Sequence, residues 1–222
     1  MVKNGLSQRD IDLLLFINEF GKSYAEVLHK CFFPDTSLQV TKNRISVLKN
    51  KYKLLKHTPT GAITPKYYIS LSEQGKKFVF EELGEDAKSC FFALSTLQHN
   101  IYEQLTYYAL LRAGKEPKRA KVVNWSKTHH HTPDLVYMNG DKMVYVEIEI
   151  SRKSSEVYNS IFDKVLKDGV SNMIYIAKNE EWKNKFLTIL PKWDKLRVAD
   201  IDTFFNNAII ENKIVADKQQ LN

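Results

Sequence analysis

Two neighbouring segments decide the fold of this chain, HHHTPDLVY at residues 129–137 and VYVEIEISRK at residues 144–153. Both segments are rich in the β-branched and aromatic residues that favour strands. The Asn139-Gly140 pair between them is a strong signal for a tight turn. The sequence therefore predicts a β-hairpin with its turn at 138–142, and the elements on either side are expected to pack around it.

Three carboxylates cluster in this hairpin. Side chains alternate between the faces of a strand, so Glu147 and Glu149 share one face while apolar residues occupy the other. Asp134 begins the neighbouring strand and is expected to lie beside them. Carboxylates placed side by side repel unless a positive charge lies between them. Converging oxygen ligands suit a hard divalent cation such as Mg²⁺ or Mn²⁺, and we predict one here.

A simpler interpretation of Glu147 and Glu149 is a pair of strand carboxylates on an exposed face, each salt-bridged to Lys or Arg. Two features weigh against it, namely the nearby Asp134 and an apolar content dense enough to make this sheet central. Buried carboxylates without a cation would be very costly.

Composition limits the class of protein. With 222 residues and 43% hydrophobic content, the chain can form one large domain or two small ones. A net charge of +7 is compatible with a nucleic-acid partner. Cys31 and Cys90 are too few for a zinc cluster or a disulfide scaffold and are expected to be buried thiols. The sequence shows no signal peptide or membrane-length apolar run, which predicts a cytoplasmic protein with no membrane segment.

The first third predicts a winged helix-turn-helix, assigned to residues 1–84, in which three helices precede a two-stranded ribbon and a further helix. Ser7 and Ser23 are the expected N-caps of the first two helices. The third helix is expected at 37–52, the strands at 53–57 and 65–71, and the last helix at 76–83.

The charge pattern of this region favours double-stranded DNA as its partner. No acidic residue occurs from Thr36 to Ser72, whereas basic residues are frequent there. Outward polar and basic side chains of a helix can contact phosphates and base edges in the major groove. A solvated basic face, or a winged helix that contacts protein, remains the alternative. The predicted DNA-binding residues are Lys42, Asn43, Arg44, Ser46, Lys49 and Lys66.

The remaining residues, 85–222, predict a second domain of mixed α/β type. Helices and strands alternate after the hairpin, which indicates a mixed or parallel sheet flanked by helices. The predicted elements are a helix at 91–112, a strand at 121–125, the hairpin, a helix at 154–167, a strand at 172–177, a helix at 179–190, a strand at 196–201 and a helix at 203–212.

This order of elements resembles the PD-(D/E)XK restriction-endonuclease-like fold, an α/β/α domain. The resemblance implies that Asp134 of Pro133-Asp134 and Glu147 bind magnesium, and that a lysine helps to activate water against a phosphodiester. Glu149 stands where that lysine usually stands. Lys153 keeps the strand parity and is the predicted replacement, with Arg152 a weaker candidate.

Some members of that fold family place a glutamate on the helix before the sheet. The resemblance therefore implies Glu103 as a further metal ligand, with His99 as an alternative on the same helical face. His131 is expected to contact either the carboxylates or a phosphate.

The combined motifs narrow the resemblance. A winged helix, Leu97-Gln98-His99, a His-x-Pro-Asp-Leu segment and the run from Val146 to Ser154 are similar to the replication-relaxation family, which includes MobC-type relaxases of mobilisable plasmids and conjugative elements. This implies metal-dependent nicking of origin DNA, in which other relaxosome proteins or a homodimer can take part. The alternative is a non-catalytic regulator of replication or mobilisation with a degenerate nuclease-like domain.

A different relaxase mechanism is also open, in which histidines bind the metal and a tyrosine attacks DNA. Residues 129–131 would supply the histidines, and the nucleophile would be Tyr102, Tyr107 or Tyr108. The middle histidine replaces the expected hydrophobic residue, and a third supporting histidine is not evident.

Overall fold

A computed structural model describes residues 5–88, 93–121 and 125–207 of the chain. It confirms a mixed α/β protein with two sheets. The chain forms two compact units, Met1–Leu97 and Gln98–Asn222. The boundary expected from the sequence, at 84/85, lies N-terminal to this division.

The first unit contains four α-helices and one two-stranded antiparallel sheet within its described residues, in the predicted order. Ser7 caps the first helix through a capping box with Asp10, and Gly21 ends it in the left-handed conformation with φ of 69°. The elements are α1 (Gln8–Phe20), α2 (Ala25–Phe32), α3 (Leu38–Asn50), β1 (Leu55–Pro59), β2 (Tyr67–Leu71) and α4 (Glu73–Leu83).

The expected cap of α2 is wrong by one residue. Tyr24 occupies the N-cap position, while Ser23 forms an isolated β-bridge with Ile69. That bridge ties the start of α2 to β2, which is a tertiary contact that the local sequence does not encode. Between the helices and the small sheet lies an apolar core that includes Leu14, Ile17 and Leu48.

The second unit is built on a five-stranded sheet in the order β3-β4-β5-β6-β7. The first three strands are antiparallel neighbours, and β5, β6 and β7 are parallel neighbours. The elements are α5 (Leu97–Arg112), β3 (Lys118–Arg119), β4 (Leu135–Asn139), β5 (Lys142–Glu149), α6 (Ser155–Lys167), β6 (Asn172–Ala177), α7 (Glu180–Ile189) and β7 (Leu196–Asp200). Residues 201–207 are helical.

Aromatic residues fill the main core of this unit. Tyr145 and Tyr175 from the sheet pack with Tyr158, Phe162 and Phe186 from the helices. Because β4 is antiparallel to β5, the start of β4 lies at the same edge as the carboxyl ends of β5, β6 and β7. In α/β sheets, ligands bind at that carboxyl edge.

Three sequence expectations need correction. The strand predicted at 121–125 is wrong, because Lys121 lies in a turn and Trp125 begins a short 3₁₀ helix, while β3 lies earlier; residues 122–124 are outside the described residues. The long helix begins at Leu97, and residues 91 and 92 are outside the described residues. The strand parity assumed for Lys153 is also wrong, because β5 ends at Glu149.

Two smaller expectations concern cysteines and membranes. Cys31 is a buried free thiol, as predicted, whereas Cys90 lies outside the described residues. No helix in the described part of the chain has both the length and the apolar character needed to cross a membrane.

Candidate functional site

Asp134 and Glu147 lie together at the carboxyl edge of the sheet. Leu135 pairs with Val146 in the β4–β5 register, so Asp134, one residue earlier, stands opposite Glu147. An Asp134 Oδ2 atom accepts a hydrogen bond of 2.9 Å from the backbone N–H of Ile148. Pairing of the two strands therefore brings together two carboxylates that are 13 positions apart in the sequence (147 minus 134).

Two basic side chains approach Asp134. His99 Nε2 lies 3.1 Å from Oδ2, and Lys121 Nζ lies 3.2 Å from Oδ1. Burial by itself would raise the pKa of Asp134, but the hydrogen bond and charge of His99, together with the charge of Lys121, lower it. Burial opposes protonation of His99, yet Asp134 raises the pKa of the imidazole. The two basic side chains thus hold the pKa of Asp134 below its ordinary value despite burial.

Glu147 has the opposite electrostatic character. His131 Nε2 lies 2.6 Å from its Oε1, and the side chain is 12% exposed. Burial raises the pKa of Glu147, and the negative charge of Asp134 raises it further despite the bond to His131. Two close carboxylates with pKa values pushed in opposite directions are a common arrangement in functional sites.

Glu149 forms an ion pair with Lys153. The Glu149 side chain is only 4% exposed, so the interpretation of Glu147 and Glu149 as carboxylates on an exposed face is wrong, although Glu149 is salt-bridged. Lys153 reaches Glu149 from the loop after β5 and not from the strand itself.

Glu103 lies one turn after His99 on α5 and is buried. Its Oε1 accepts a hydrogen bond of 2.9 Å from Arg119 Nε on β3. The charge of Glu103 acts on both His99 and Lys121, which places it close to the Asp134 cluster. Its carboxylate is engaged by Arg119, and its predicted role as a metal ligand stays a prediction.

The segment with three histidines is fixed by Asp168, the residue directly after the helix predicted at 154–167. The Asp168 carboxylate accepts hydrogen bonds from the backbone N–H groups of His130 and His131, at 2.7 and 3.0 Å. It also accepts one of 3.1 Å from the Tyr145 hydroxyl, which in turn accepts one of 2.9 Å from Trp125 Nε1. This network positions His131 against Glu147.

Tyr175 adds a buried hydroxyl beside the carboxylates. In the parallel register Tyr175 pairs with Glu147, so both side chains point to the same face. Within the described residues, its hydroxyl has no hydrogen-bond partner. Burial strongly raises the pKa of Tyr175, and the charges of Glu147 and Glu149 raise it further, so the hydroxyl stays protonated.

The chemistry of the donors fits a hard cation held in part by substrate. Among the described residues, no group of three or more His, Cys, Asp or Glu side chains is arranged to enclose a metal ion. Mg²⁺ is commonly bound by only one or two carboxylates together with waters and substrate phosphates. Asp134 and Glu147 provide that number of carboxylates, and Asp134 already contacts two basic side chains.

The tyrosine-relaxase alternative gains no support from the geometry. The histidines at 129–131 have separate partners: the ring of His129 stacks on Trp125 at 4.0 Å, whereas that of His131 contacts Glu147. The Tyr102 hydroxyl accepts a hydrogen bond from Gln98 on the same helix.

The predicted DNA-binding residues of the first unit fall into two groups. Lys42, Asn43 and Ser46 are exposed on α3, and Lys49 is half-buried there. Arg44 differs, because its guanidinium forms a hydrogen-bonded ion pair with the buried Asp10 of α1. The structure thus gives Arg44 a role in joining α1 to α3.

Lys66 lies at the end of the connection between β1 and β2 and is exposed. Its Nζ lies 5.6 Å from the centre of the Tyr67 ring. Ile63 in the same connection is 98% exposed, and Tyr67 is 42% exposed. Exposed apolar, aromatic and basic side chains therefore occur together at the tip of the small sheet.

Several residues of the site could not be recognised from the sequence. Lys121 fell in a predicted strand, Arg119 was unassigned, and Asp168 was only the residue after the helix predicted at 154–167. The one available signal for Asp168 was an acidic residue at a helix C-terminus, where the helix dipole disfavours negative charge.

Neither a scan against protein-family models nor a search of curated proteins gives a match for this chain. The resemblance to the replication-relaxation family therefore depends on the short motifs alone.

Proposed function

We propose that this protein is a metal-dependent DNA-nicking protein of a mobilisable or conjugative element. The observation that carries the proposal is a pair of carboxylates, the buried Asp134 and the largely buried Glu147, which the strand register places side by side at the carboxyl edge of the sheet. A buried like-charged pair is costly in a structural role and useful where a cation binds. Mg²⁺ and Mn²⁺ are the cations that such oxygen donors favour.

In this proposal Asp134 and Glu147 hold the cation, which supplies positive charge beside the phosphate when bound. Nicking by hydrolysis forms one P–O bond to water and breaks one ester P–O bond of the DNA strand. The water loses a proton and the leaving deoxyribose oxygen gains one. His131, held 2.6 Å from Glu147, is placed to exchange protons at this edge.

The first unit is proposed to act as a winged helix-turn-helix that binds double-stranded DNA. Its support is the exposed polar and basic face of α3 together with the exposed tip of the β1–β2 sheet. These surfaces correspond to a recognition helix and a wing in such domains.

A second candidate function is a non-catalytic DNA-binding regulator. One observation favours it: Glu149 takes the place of the expected lysine and is itself ion-paired with Lys153. A cluster in which each acid has a basic partner can be purely structural.

A plasmid-relaxation assay separates the two candidates. A duplex selected from a random pool by the wild-type protein is cloned into a supercoiled plasmid, which is incubated with Mn²⁺, with Mg²⁺ or with chelator. We expect open circles only with metal, and loss of nicking in Asp134→Ala and Glu147→Ala. Asp141→Ala in the exposed hairpin turn is the matched control and is expected to nick normally.

The outcomes are distinct. Absence of open circles with either metal would reject the nickase proposal and leave the regulator. Normal nicking by Asp134→Ala or Glu147→Ala would show that the cutting site lies elsewhere. Failure of the wild-type protein to enrich any duplex would reject DNA binding altogether.

The surface on α3 is tested by binding measurements with the triple variant K42A/S46A/K49A. We expect weaker binding and a smaller dependence on salt, by about 0.9 in the log–log slope for each phosphate contact removed. Lys77→Ala on the exposed face of α4 is the control. Unchanged binding in the triple variant would remove α3 from DNA recognition.

A further inference from the structure

Besides His99 and His131, one arginine and two lysines partner the acids at the carboxyl edge, and these three side chains differ in exposure. The side chain of Arg119 is 19% exposed and that of Lys153 is 38% exposed, whereas that of Lys121 is 66% exposed. Only Lys121, among these three, keeps most of its side chain accessible to a ligand that arrives from solvent.

Lys153 is not expected to leave Glu149 for another ligand, because separating the two charges would cost free energy. Glu149 is 4% exposed, so withdrawal of the Lys153 ammonium would leave a buried and uncompensated carboxylate. The backbone N–H of Lys153 is also fixed by a hydrogen bond of 3.1 Å to the Tyr158 hydroxyl. A lysine in this position neutralises its neighbour and is a poor choice for contacting substrate.

Asp134 can release Lys121 at lower cost. Its Oδ2 atom accepts hydrogen bonds from His99 and from the backbone of Ile148, whereas Lys121 contacts Oδ1. A cation that takes Oδ1 would therefore displace Lys121 and leave the remaining partners of Asp134 in place. The displaced ammonium would stay beside the same edge, where a phosphate held by the cation would lie.

We propose that Lys121 is the residue whose ammonium contacts the DNA phosphate at this edge, and that Lys153 serves to neutralise Glu149. This inference rests on the proposed nicking function and names a residue within that site. It replaces Lys153, predicted from the sequence, with a lysine from the turn that follows β3. An ammonium with three donors is well suited to a phosphate oxygen.

The first test compares Lys121→Met with Lys121→Arg and Lys118→Met in the plasmid-relaxation assay. Lys118 is an exposed lysine of β3 and serves as the matched control. We expect Lys121→Met to slow nicking by about 100-fold, the size found when one charge-stabilising donor is removed. Lys121→Arg keeps the charge and should recover part of the rate, and Lys118→Met should nick like the wild type.

The second test measures DNA binding instead of cleavage. The salt dependence of binding to the selected duplex is measured with chelator and, before nicked product accumulates, with Mg²⁺. With chelator Lys121 stays with Asp134, so Lys121→Met should change the slope little. With Mg²⁺ the slope of Lys121→Met should fall below that of the wild type by about 0.9, one phosphate contact.

The results separate the two proposals. A wild-type protein that never nicks rejects the proposed function and this inference with it. A wild type that nicks while Lys121→Met nicks equally well rejects this inference alone. Loss of nicking in E149M/K153M combined with normal nicking by Lys121→Met would assign the phosphate contact to Lys153. Thermal unfolding of Lys121→Met is expected to match that of the wild type. If the variant is less stable, nicking that Lys121→Arg restores and Lys121→Gln does not would still support a role for the Lys121 charge.

Discussion

The two units of this protein treat buried acidic residues in different ways. In the first unit Asp10 is 1% exposed and has one cationic partner, Arg44, plus the hydrogen bonds of its own capping box. At the sheet edge of the second unit, four carboxylates crowd together, each with a basic partner. They are Glu103, Asp134, Glu147 and Glu149.

The difference separates a structural ion pair from a candidate site. The Asp10–Arg44 pair joins two helices, and its two opposite charges neutralise each other. In the second unit burial and the charge of Asp134 raise the pKa of Glu147, whereas His99 and Lys121 lower the pKa of Asp134 despite its burial. Repulsion between neighbouring carboxylates costs free energy that packing of the sheet does not make necessary. A bound cation would reduce this repulsion.

The largest effect on stability is expected at Glu149. Lys153→Met leaves this buried carboxylate without its partner, and we expect a loss of about 3 kcal/mol. The value lies at the low end for buried pairs because Lys153 is itself 38% exposed. All three tryptophans lie in the second unit, so urea unfolding followed by their fluorescence reports on it.

The double variant E149M/K153M is the control, since replacing both partners by apolar groups of similar size is often neutral. A double variant as unstable as Lys153→Met would mean that the loss comes from packing and not from the uncovered charge.

A smaller loss is expected for the isolated pair in the first unit. Arg44→Met should destabilise this unit by about 2 kcal/mol, because Asp10 loses its cation but keeps the hydrogen bonds from Ser7. The measurement is urea unfolding followed by helical circular dichroism. Lys42→Met on the same helix is the control and should unfold like the wild type. If Arg44→Met weakens DNA binding without any loss of stability, the structural role of Arg44 is wrong.

The hydrogen bonds from the histidine segment and Tyr145 to Asp168 should contribute less to stability. Asp168→Ala removes the acceptor for two backbone N–H groups and for the Tyr145 hydroxyl, and we expect about 1 kcal/mol because water can replace part of these bonds. The histidine ring signals in NMR spectra should show His131 detached from Glu147. Asp163→Ala on the exposed face of α6 is the control. Unchanged His131 signals would show that the segment holds its position without Asp168.

The smallest expected effect is the pH dependence of the stability that the Asp10–Arg44 pair contributes. Burial opposes ionisation of Asp10, but Arg44 and Ser7 lower its pKa below the ordinary value of 3.8. A lowered folded-state pKa gives stability that is complete above the unfolded pKa and is lost as the pH falls through the folded one. The stability difference between wild type and D10N/R44M should therefore shrink below about pH 4. A difference that stays constant down to pH 2 would contradict this contribution.

Much of the fold follows from local sequence signals. The capping box at Ser7, the left-handed Gly21 and the left-handed Gly140 in the hairpin turn each specify an element end through backbone geometry. The element order of both units was predictable for that reason. The start of α2 and the edge strand β3 were not, because the contacts of Ser23 with Ile69 and of Arg119 with Leu135 join distant parts of the chain.

The sequence by itself determined that Asp134, directly before one strand of a hairpin, lies near Glu147 and Glu149 of the other strand, because a hairpin register follows from its turn. Only the tertiary structure decided which basic side chains meet them. Lys121 from a turn and His99 from a helix contact Asp134, and His131 from a loop contacts Glu147, at positions that no local periodicity relates to the acids. Long-range packing sets these pairings, and they make the edge of the sheet a candidate site.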